Sequence, residues 1–331
     1  MNITRQVMAF AVVSALTGTA MAYDPGVTVA NRQALASSSE AYWTTDRVAS
    51  AQPLLPTRDS GGLISQSFGT ANLDFTRSRI TPQSANKARP YRSVGKLYFS
   101  VPGQGDFQCS ASVIKNRLIV TAAHCLYTDG IGWHTNWAFI PGFDGTKAPP
   151  ANRPYGTWNW SHATIPTAWV TSAGALPNNE DFGLLELVDQ ATPPSAVTRT
   201  VGATVGKLNV EIGHLSDTHV TMLGYPCNFD SCAIMQRNDA GDHRGSGVAG
   251  STAYEYGSDM TGGSSGGPWV ENFGDPAAAA PTGSRVTRNA VVGVTSYGYT
   301  DPNVKILGAS QFNANFQSIL NSTCALAPGN C

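Results

Sequence analysis

The chain has 331 residues and a formal net charge of −1. That is enough for one large or two modest domains with a hydrophobic core, and it leaves no global field to attract nucleic acid or an anionic membrane. Charged residues make up only 13% of the chain, against a usual share of roughly 25%, and Gly, Ser, Thr and Ala take their place, a composition common in exported all-β proteins.

Arg5 gives a positive start, Val7 to Leu16 is largely apolar, and Ala20-Met21-Ala22 has the small-x-small form that a signal peptidase requires. Residues 1–22 therefore read as a signal peptide cleaved after Ala22 rather than as a buried helix. The apolar run is about half of the ~20 residues a membrane span needs, so no stable membrane anchor is expected. The expected location is extracellular, or periplasmic if the protein is retained there.

Residues 23–90 contain no cysteine and little sustained periodicity; they include Ser37-Ser38-Ser39 and short apolar clusters such as Leu54-Leu55, set apart by Pro and Gly. This stretch reads as a prosegment removed on maturation, with a disordered linker as the alternative. Arg77, Arg79, Lys87, Arg89 and Arg92 crowd its end. Pro90 blocks cleavage after Arg89, which leaves Arg79, Lys87 or Arg92 and places the boundary within 79–93.

From about Val94 the pattern changes to short apolar runs separated by turns. Lys96 to Val101, Ser110 to Ile114 and Leu118 to Thr121 have strand length and composition, as do Gly183 to Val188, Thr218 to Gly224 and Ala290 to Ser296. Pro102-Gly103, Lys115-Asn116 and Asp129-Gly130 supply turns between the early runs. Trp158-Asn159-Trp160 reads as packing in a loop. One helix is expected at the end, where Phe312, Phe316 and Ile319 recur at i, i+4 and i+7. Regular short strands without long helices between them argue for an all-β barrel or sandwich.

Six cysteines in an exported chain read as three disulfides. Sequence proximity favours Cys109–Cys125, Cys227–Cys232 and Cys324–Cys331. The first would contribute roughly 3 kcal/mol in the chain-entropy model. The absence of any Cys-x-x-Cys pair argues against a zinc or thioredoxin-like site.

Three local patterns carry the chemistry: Thr121-Ala122-Ala123-His124-Cys125 after an apolar strand, Asp181-Phe182-Gly183-Leu184-Leu185-Glu186-Leu187 opening a buried strand, and Gly262-Gly263-Ser264-Ser265-Gly266-Gly267-Pro268. Together they resemble the His, Asp and Ser motifs of the trypsin-like (chymotrypsin-fold) serine peptidases, over roughly 90–322. Phe139-Ile140-Pro141-Gly142, Pro154-Tyr155-Gly156 and Gly224-Tyr225-Pro226 are similar to the bacterial extracellular branch that includes the glutamyl endopeptidases. Cys109–Cys125 resembles the staple of the histidine loop in animal-type members.

The resemblance implies an all-β fold for residues 91–331, with two six-stranded antiparallel β-barrels and a C-terminal helix. It implies a monomeric endopeptidase that cuts protein or peptide substrates through an acyl-enzyme, requires no cofactor or metal, and is met by its own prosegment before maturation. A serine hydroxyl is a poor nucleophile at neutral pH and needs an adjacent base. His124 would be that base, Asp181 would hold its tautomer, and Ser265 would attack. Asp189 and Glu180 are acidic neighbours that compete with Asp181 for the assignment. The glycines let the N–H groups of Gly263 and Ser265 face the oxyanion, where one such donor contributes roughly 3–4 kcal/mol in the transition state.

Gly263-Ser264-Ser265-Gly266-Gly267 also satisfies the G-x-S-x-G elbow of α/β-hydrolases, but that fold places its histidine after the serine, and every histidine here precedes Ser265. His134, His162, His214, His219 and His243 show no paired-ligand spacing and read as structural or solvated.

Two departures bear on control and specificity. Ser264 stands where animal trypsin-like enzymes carry the Asp that pairs with a newly cut N-terminus, so any zymogen control differs. Asp259 lies six residues before Ser265, where trypsin binds Lys or Arg, and a buried carboxylate there would favour a cationic P1 side chain. The bacterial branch carries acids at this point without that preference as well. Thr295 replaces the His that glutamyl endopeptidases use in the pocket strand, so glutamate recognition is not expected. Ser296-Tyr297-Gly298 resembles the substrate-binding edge, pairing with peptide backbone by β-augmentation. A secreted binding protein or adhesin on the same fold, without catalysis, is the alternative class.

Overall fold

The computed structural model describes residues 23–31, 39–58, 73–80, 83–191, 197–241, 243–247, 253–274 and 286–331. The expected signal peptide lies outside the described residues, as do Ser37 and Ser38. The described part of the expected prosegment holds β1 (Val27–Ala30), α1 (Ser39–Tyr42), α2 (Thr45–Ser50), β2 (Gln52–Pro53), β3 (Thr57–Arg58) and β4 (Phe75–Arg79). Six strands then build the first barrel: β5 (Val94–Val101), β6 (Gly105–Val113), β7 (Leu118–Thr121), β8 (Thr135–Pro141), β9 (Trp158–Ile165) and β10 (Gly183–Leu187).

Each of the six pairs antiparallel with two of the others in the order β8-β5-β6-β7-β10-β9, and β9 returns to β8, so the barrel closes. Closure removes the unpaired edges that a sheet otherwise exposes. Leu97, Phe99, Val113, Ile119, Phe139 and Leu185 are among the side chains that fill its fully or nearly fully buried interior. The Trp158-Asn159-Trp160 cluster, expected in a loop, instead opens β9. Its alternating buried and half-buried pattern is that of a strand, and Trp160 meets the edge of Trp137 at 4.4 Å between ring centres.

The second half is built from β11 (Val220–Gly224), β12 (Gln236–Ala240), β13 (His243–Gly245), β14 (Tyr254–Gly257), β15 (Pro268–Glu271), β16 (Ala290–Tyr299) and β17 (Ile306–Gln311). They pair in the order β13-β14-β17-β16-β15-β11-β12. Among the described residues this sheet forms a half-barrel, the second unit of the expected double-barrel plan. The far side of β12 is taken by β4, which pairs with it over five residues from Gln236↔Arg79 to Ala240↔Phe75.

The chain ends in α3 (Ala314–Ala325), capped by Asn313, whose side chain accepts a hydrogen bond from the Phe316 N–H. The helix presents Phe316, Ile319 and Leu320 to the main core. Phe312, expected to open the helix, lies just before it and stacks on Phe316 at 3.7 Å. Phe316 also meets the edge of Phe182, so the helix braces the residue that follows Asp181. Among the described residues no helix is long and apolar enough to cross a membrane. The three disulfides pair as sequence proximity favoured.

The leader is integrated with this framework rather than trailing from it. Trp43 is buried in the main core, and its indole donates to the Asn136 carbonyl. β1 pairs with β9, and β2 lies parallel to β6. Sequence patterning missed these elements because each is only two to six residues long, too short to show a period.

One buried group gives a pH-dependent prediction. The Lys96 ammonium donates to the Cys232 carbonyl at 2.9 Å and lies near the faces of Tyr98, Phe143 and Tyr225. Burial pushes its pKa from 10.5 down to about 7. The unfolded chain therefore binds more protons between these values, and native stability rises with pH across that window. A Lys96→Met variant should gain most over the parent near pH 6, and the gain should shrink towards pH 10. Urea unfolding at the two extremes checks this; an equal difference at both would refute it.

Candidate active site

His124 follows β7 directly. The chain leaves the strand at Ala122, and Ala123–Cys125 make a single 3-10 turn. The turn is fixed from two sides. Cys125 is joined to Cys109 in β6, and the His124 N–H donates to Asp181 Oδ1 at 2.9 Å. The ring is 5% exposed, and its Nδ1 lies 2.8 Å from Asp181 Oδ2. Nε2 is thereby left as the outward nitrogen, buried and without a hydrogen-bond partner. His134 sits behind, flat against Phe99 and bonded to the Cys125 carbonyl. Burial pushes its pKa down to about 4, so it stays neutral.

Asp181 is fully buried two residues before β10. It accepts from the His124 N–H and lies against the His124 ring, and it also accepts from the Ser296 hydroxyl at 2.5 Å. The competing acids are engaged elsewhere. Asp189 takes a two-pronged bond from Arg117 at 2.7 Å on each prong. Glu180 accepts from Asn313 and Asn315 and is raised above the usual carboxylate range, chiefly by burial.

Ser265 is fully buried, and its Oγ, like His124 Nε2, has no hydrogen-bond partner among the described residues. Its loop depends on close backbone approaches. Gly266 has φ +72°, and a Cβ there would come within 2.0 Å of Thr121 Oγ1 and 2.7 Å of the Ala122 nitrogen. Gly263 has φ +96°, with the Tyr225 carbonyl oxygen 2.5 Å from where its Cβ would stand. The serine loop thus abuts the chain two residues ahead of His124.

Ser110, which sequence reasoning did not single out, ties these parts together. Its N–H donates to the Ser265 carbonyl at 2.7 Å and its hydroxyl donates to the Gly263 carbonyl at 2.8 Å. The hydroxyl accepts from the Tyr225 N–H, and the Ser110 carbonyl accepts from Thr121 Oγ1. It follows Cys109, so one stretch of β6 holds the histidine turn by a disulfide and the serine loop by hydrogen bonds. Its position after a cysteine was the only available hint, and serine in a strand carries no signal by itself.

A cavity of about 330 Å³ opens beside the serine loop, lined by Leu55, Asp259, Met260, Gly298 and Tyr299 among others. Asp259 is 7% exposed and paired with Arg77 of β4 at 3.0 Å. The Arg77 guanidinium lies over the Phe229 ring at 3.6 Å. Thr295 points into the core, where its hydroxyl accepts from the Trp269 indole. Tyr297 also turns inward, donating to the buried Glu255 carboxylate. Of the three residues expected at a substrate edge, Ser296 serves Asp181, Tyr297 serves the core, and the Gly298 N–H faces a peptide carbonyl, that of Pro56 at 3.0 Å. The Gly263 N–H likewise donates to the Leu54 carbonyl at 3.3 Å.

A closed barrel that carries the bonded His124–Asp181 pair, beside a half-barrel that carries the Ser265 loop, has a counterpart among known proteins. The family model for Trypsin matches residues 83–319, well over half of the chain. The chain belongs to the trypsin family. Within that family it is similar to the glutamyl endopeptidase of Bacillus licheniformis, 29% identical over 227 residues, which is 67% of this chain and 61% of that protein. The chain thus spans less than two thirds of that relative's length. Among solved structures, the protease Anisep of Arthrobacter nicotinovorans matches with a TM-score of 0.55 at 22% identity, over 71% of this chain and 96% of its own. A Glu endopeptidase crystallised with MPD gives a TM-score of 0.55 at 19% identity over 80% and 99% of the two chains. At these identities the structural likeness is one of trypsin-family fold.

Proposed function

We propose that this member of the trypsin family is a secreted serine endopeptidase acting on protein substrates through a His124–Asp181–Ser265 triad. The observation that carries the reading is the doubly tethered His124, its Nε2 left unpartnered next to a serine loop whose Oγ is unpartnered as well. Two buried polar atoms without partners carry a cost, and a catalytic role is a reason for a fold to retain it. In the proposed sequence Ser265 Oγ attacks the substrate carbonyl and its proton passes to His124 Nε2. The Oγ–C bond forms, the N–H groups of Gly263 and Ser265 stabilise the oxyanion, and the imidazolium returns the proton to the leaving amine as the C–N bond breaks. Water then hydrolyses the acyl-enzyme by the same route in reverse, with Asp181 stabilising the cationic ring each time. These steps use the chain's own residues as base, nucleophile and donors.

Export by a signal peptide over residues 1–22, maturation by loss of a prosegment within 23–90, and action as a monomer complete the proposal. Specificity is its finer part. The glutamyl endopeptidase likeness alone would suggest glutamate at P1, yet Asp259 lines the cavity beside the serine loop and, once free of Arg77, would repel a carboxylate. With Arg77 withdrawn from Asp259, the same carboxylate would favour Lys or Arg.

Labelling of the processed protein with a fluorophosphonate should modify Ser265, and cleavage of a mixed peptide library should follow. A processed protein that neither labels nor cleaves would leave a non-catalytic binding module as the reading. A Lys or Arg preference lost in Asp259→Ser would support the cationic pocket, and a preference for small or aromatic residues would refute it.

A further inference from the structure

The segment Gln52–Arg58 runs across the cleft between the two halves, and we propose that it is a tethered ligand of the substrate groove that silences the unprocessed chain. This rests on the peptidase reading above and adds its control. The segment begins on the first barrel, where Gln52 and Pro53 pair with Phe107 and Gln108, and the Leu54 N–H donates to the Gln108 carbonyl at 3.1 Å. It then passes the serine loop, where the Leu54 carbonyl takes the Gly263 N–H, one of the two proposed oxyanion donors. It ends on the second sheet. There Pro56 accepts from the Gly298 N–H, Thr57 and Arg58 lie beside Gly298 and Tyr299, and the Arg58 carbonyl accepts from the Thr300 N–H at 3.0 Å.

Side chains secure both flanks. Leu55 lines the cavity beside the serine loop together with Pro53 and Thr57. The Arg58 guanidinium reaches the buried Glu255 carboxylate at 3.3 Å and the Ser246 carbonyl at 2.9 Å. A substrate bound here would compete for the same N–H donors, the same cavity and the same strand edge.

The segment is a ligand but a poor substrate. In a serine peptidase the residue whose carbonyl is attacked is the one whose side chain enters the specificity pocket. Here the carbonyl at the Gly263 N–H belongs to Leu54, while the side chain in the cavity belongs to the next residue, Leu55. The amine that would have to leave is therefore the one pinned by the cavity, and any broken bond would be held in place to reform. Pro53 and Pro56 restrict the free segment and lower the entropy lost on ordering it. Tethering adds an effective concentration on the order of millimolar, so modest intrinsic affinity suffices.

The test uses the full chain before processing, its intact mass checked. A Leu55→Glu variant puts a carboxylate in place of an apolar side chain in the cavity that Asp259 also lines and should label with fluorophosphonate at Ser265 roughly 10-fold faster or more, as expected for release of a tethered ligand. Asp46→Asn, on the exposed face of the leader, should label at the parent rate. The peptide Gln-Pro-Leu-Leu-Pro-Thr-Arg should slow hydrolysis by the processed protein competitively, and the same peptide with Glu for its second Leu should do so far less. The proposal is overturned if the processed protein is active, the peptide does not inhibit it, and Leu55→Glu labels like the parent. A processed protein that is itself inert would instead remove the peptidase reading, and this control with it.

Discussion

A His124→Ala variant of the processed protein should retain its fold and lose roughly 10⁶-fold in kcat. Among the described residues the ring's side-chain hydrogen bond is to Asp181, so chemical loss should far exceed the loss of stability. The informative comparison is among the acids. Asp181→Asn should cost roughly 10⁴-fold, because an amide opposite Nδ1 no longer enforces the tautomer that leaves Nε2 as the base. Asp189→Asn breaks a partly exposed pair with Arg117, and Glu180→Gln alters a bond to two asparagines at the helix α3 cap. Both should leave kcat close to that of the parent. Steady-state hydrolysis of one peptide by the four variants, with thermal unfolding alongside, settles the assignment. Equal losses for Asp181→Asn and Asp189→Asn would sink it.

Gly266→Ala should be the most damaging single methyl group that can be added to the site. Its positive φ already costs an L-residue roughly 1–2 kcal/mol. The larger cost is steric, because the new carbon would overlap Thr121 Oγ1, the Ser110 carbonyl and the Ala122 nitrogen at 2.0, 2.6 and 2.7 Å. Two of these are backbone atoms in barrel strands or the histidine turn, with no flexible end to move aside. The serine loop must shift away from His124, so Ser265 labelling should be nearly abolished together with a loss of about 3 kcal/mol or more in urea unfolding. Gly274→Ala makes the matched control, since it also has positive φ but meets nothing within 4 Å. It should lose only the conformational part. Equal effects of the two substitutions would remove the steric argument.

Much of this site was legible in the residues because it depends on local patterns. A histidine after a strand, an acid before one and a serine among glycines each follow from what the backbone must do at that point. The six strand expectations fell on strands for the same reason, since each is a run of apolar and β-branched residues bounded by turns. The groove was not legible. Its occupant is a leader segment more than 200 residues away in sequence from Gly263 and Gly298, held by backbone groups that every residue has. Ser110 escaped notice likewise, because three of its four bonds reach partners distant in the chain. Asp259 was flagged for its position, but its partner Arg77 comes from a strand that single-sequence patterning read as part of a prosegment.

β12 has β11 on one side and β4 on the other, and Leu73, just ahead of β4, packs with Val304 and Ile306. Trimming the chain at Arg79 or beyond would strip a five-residue partner from β12 and leave its N–H and C=O groups bare. A bare strand edge is a template for joining the edge of another molecule. How far the leader is cut back therefore bears on whether the mature molecules remain apart in solution as well as on when they begin to cut.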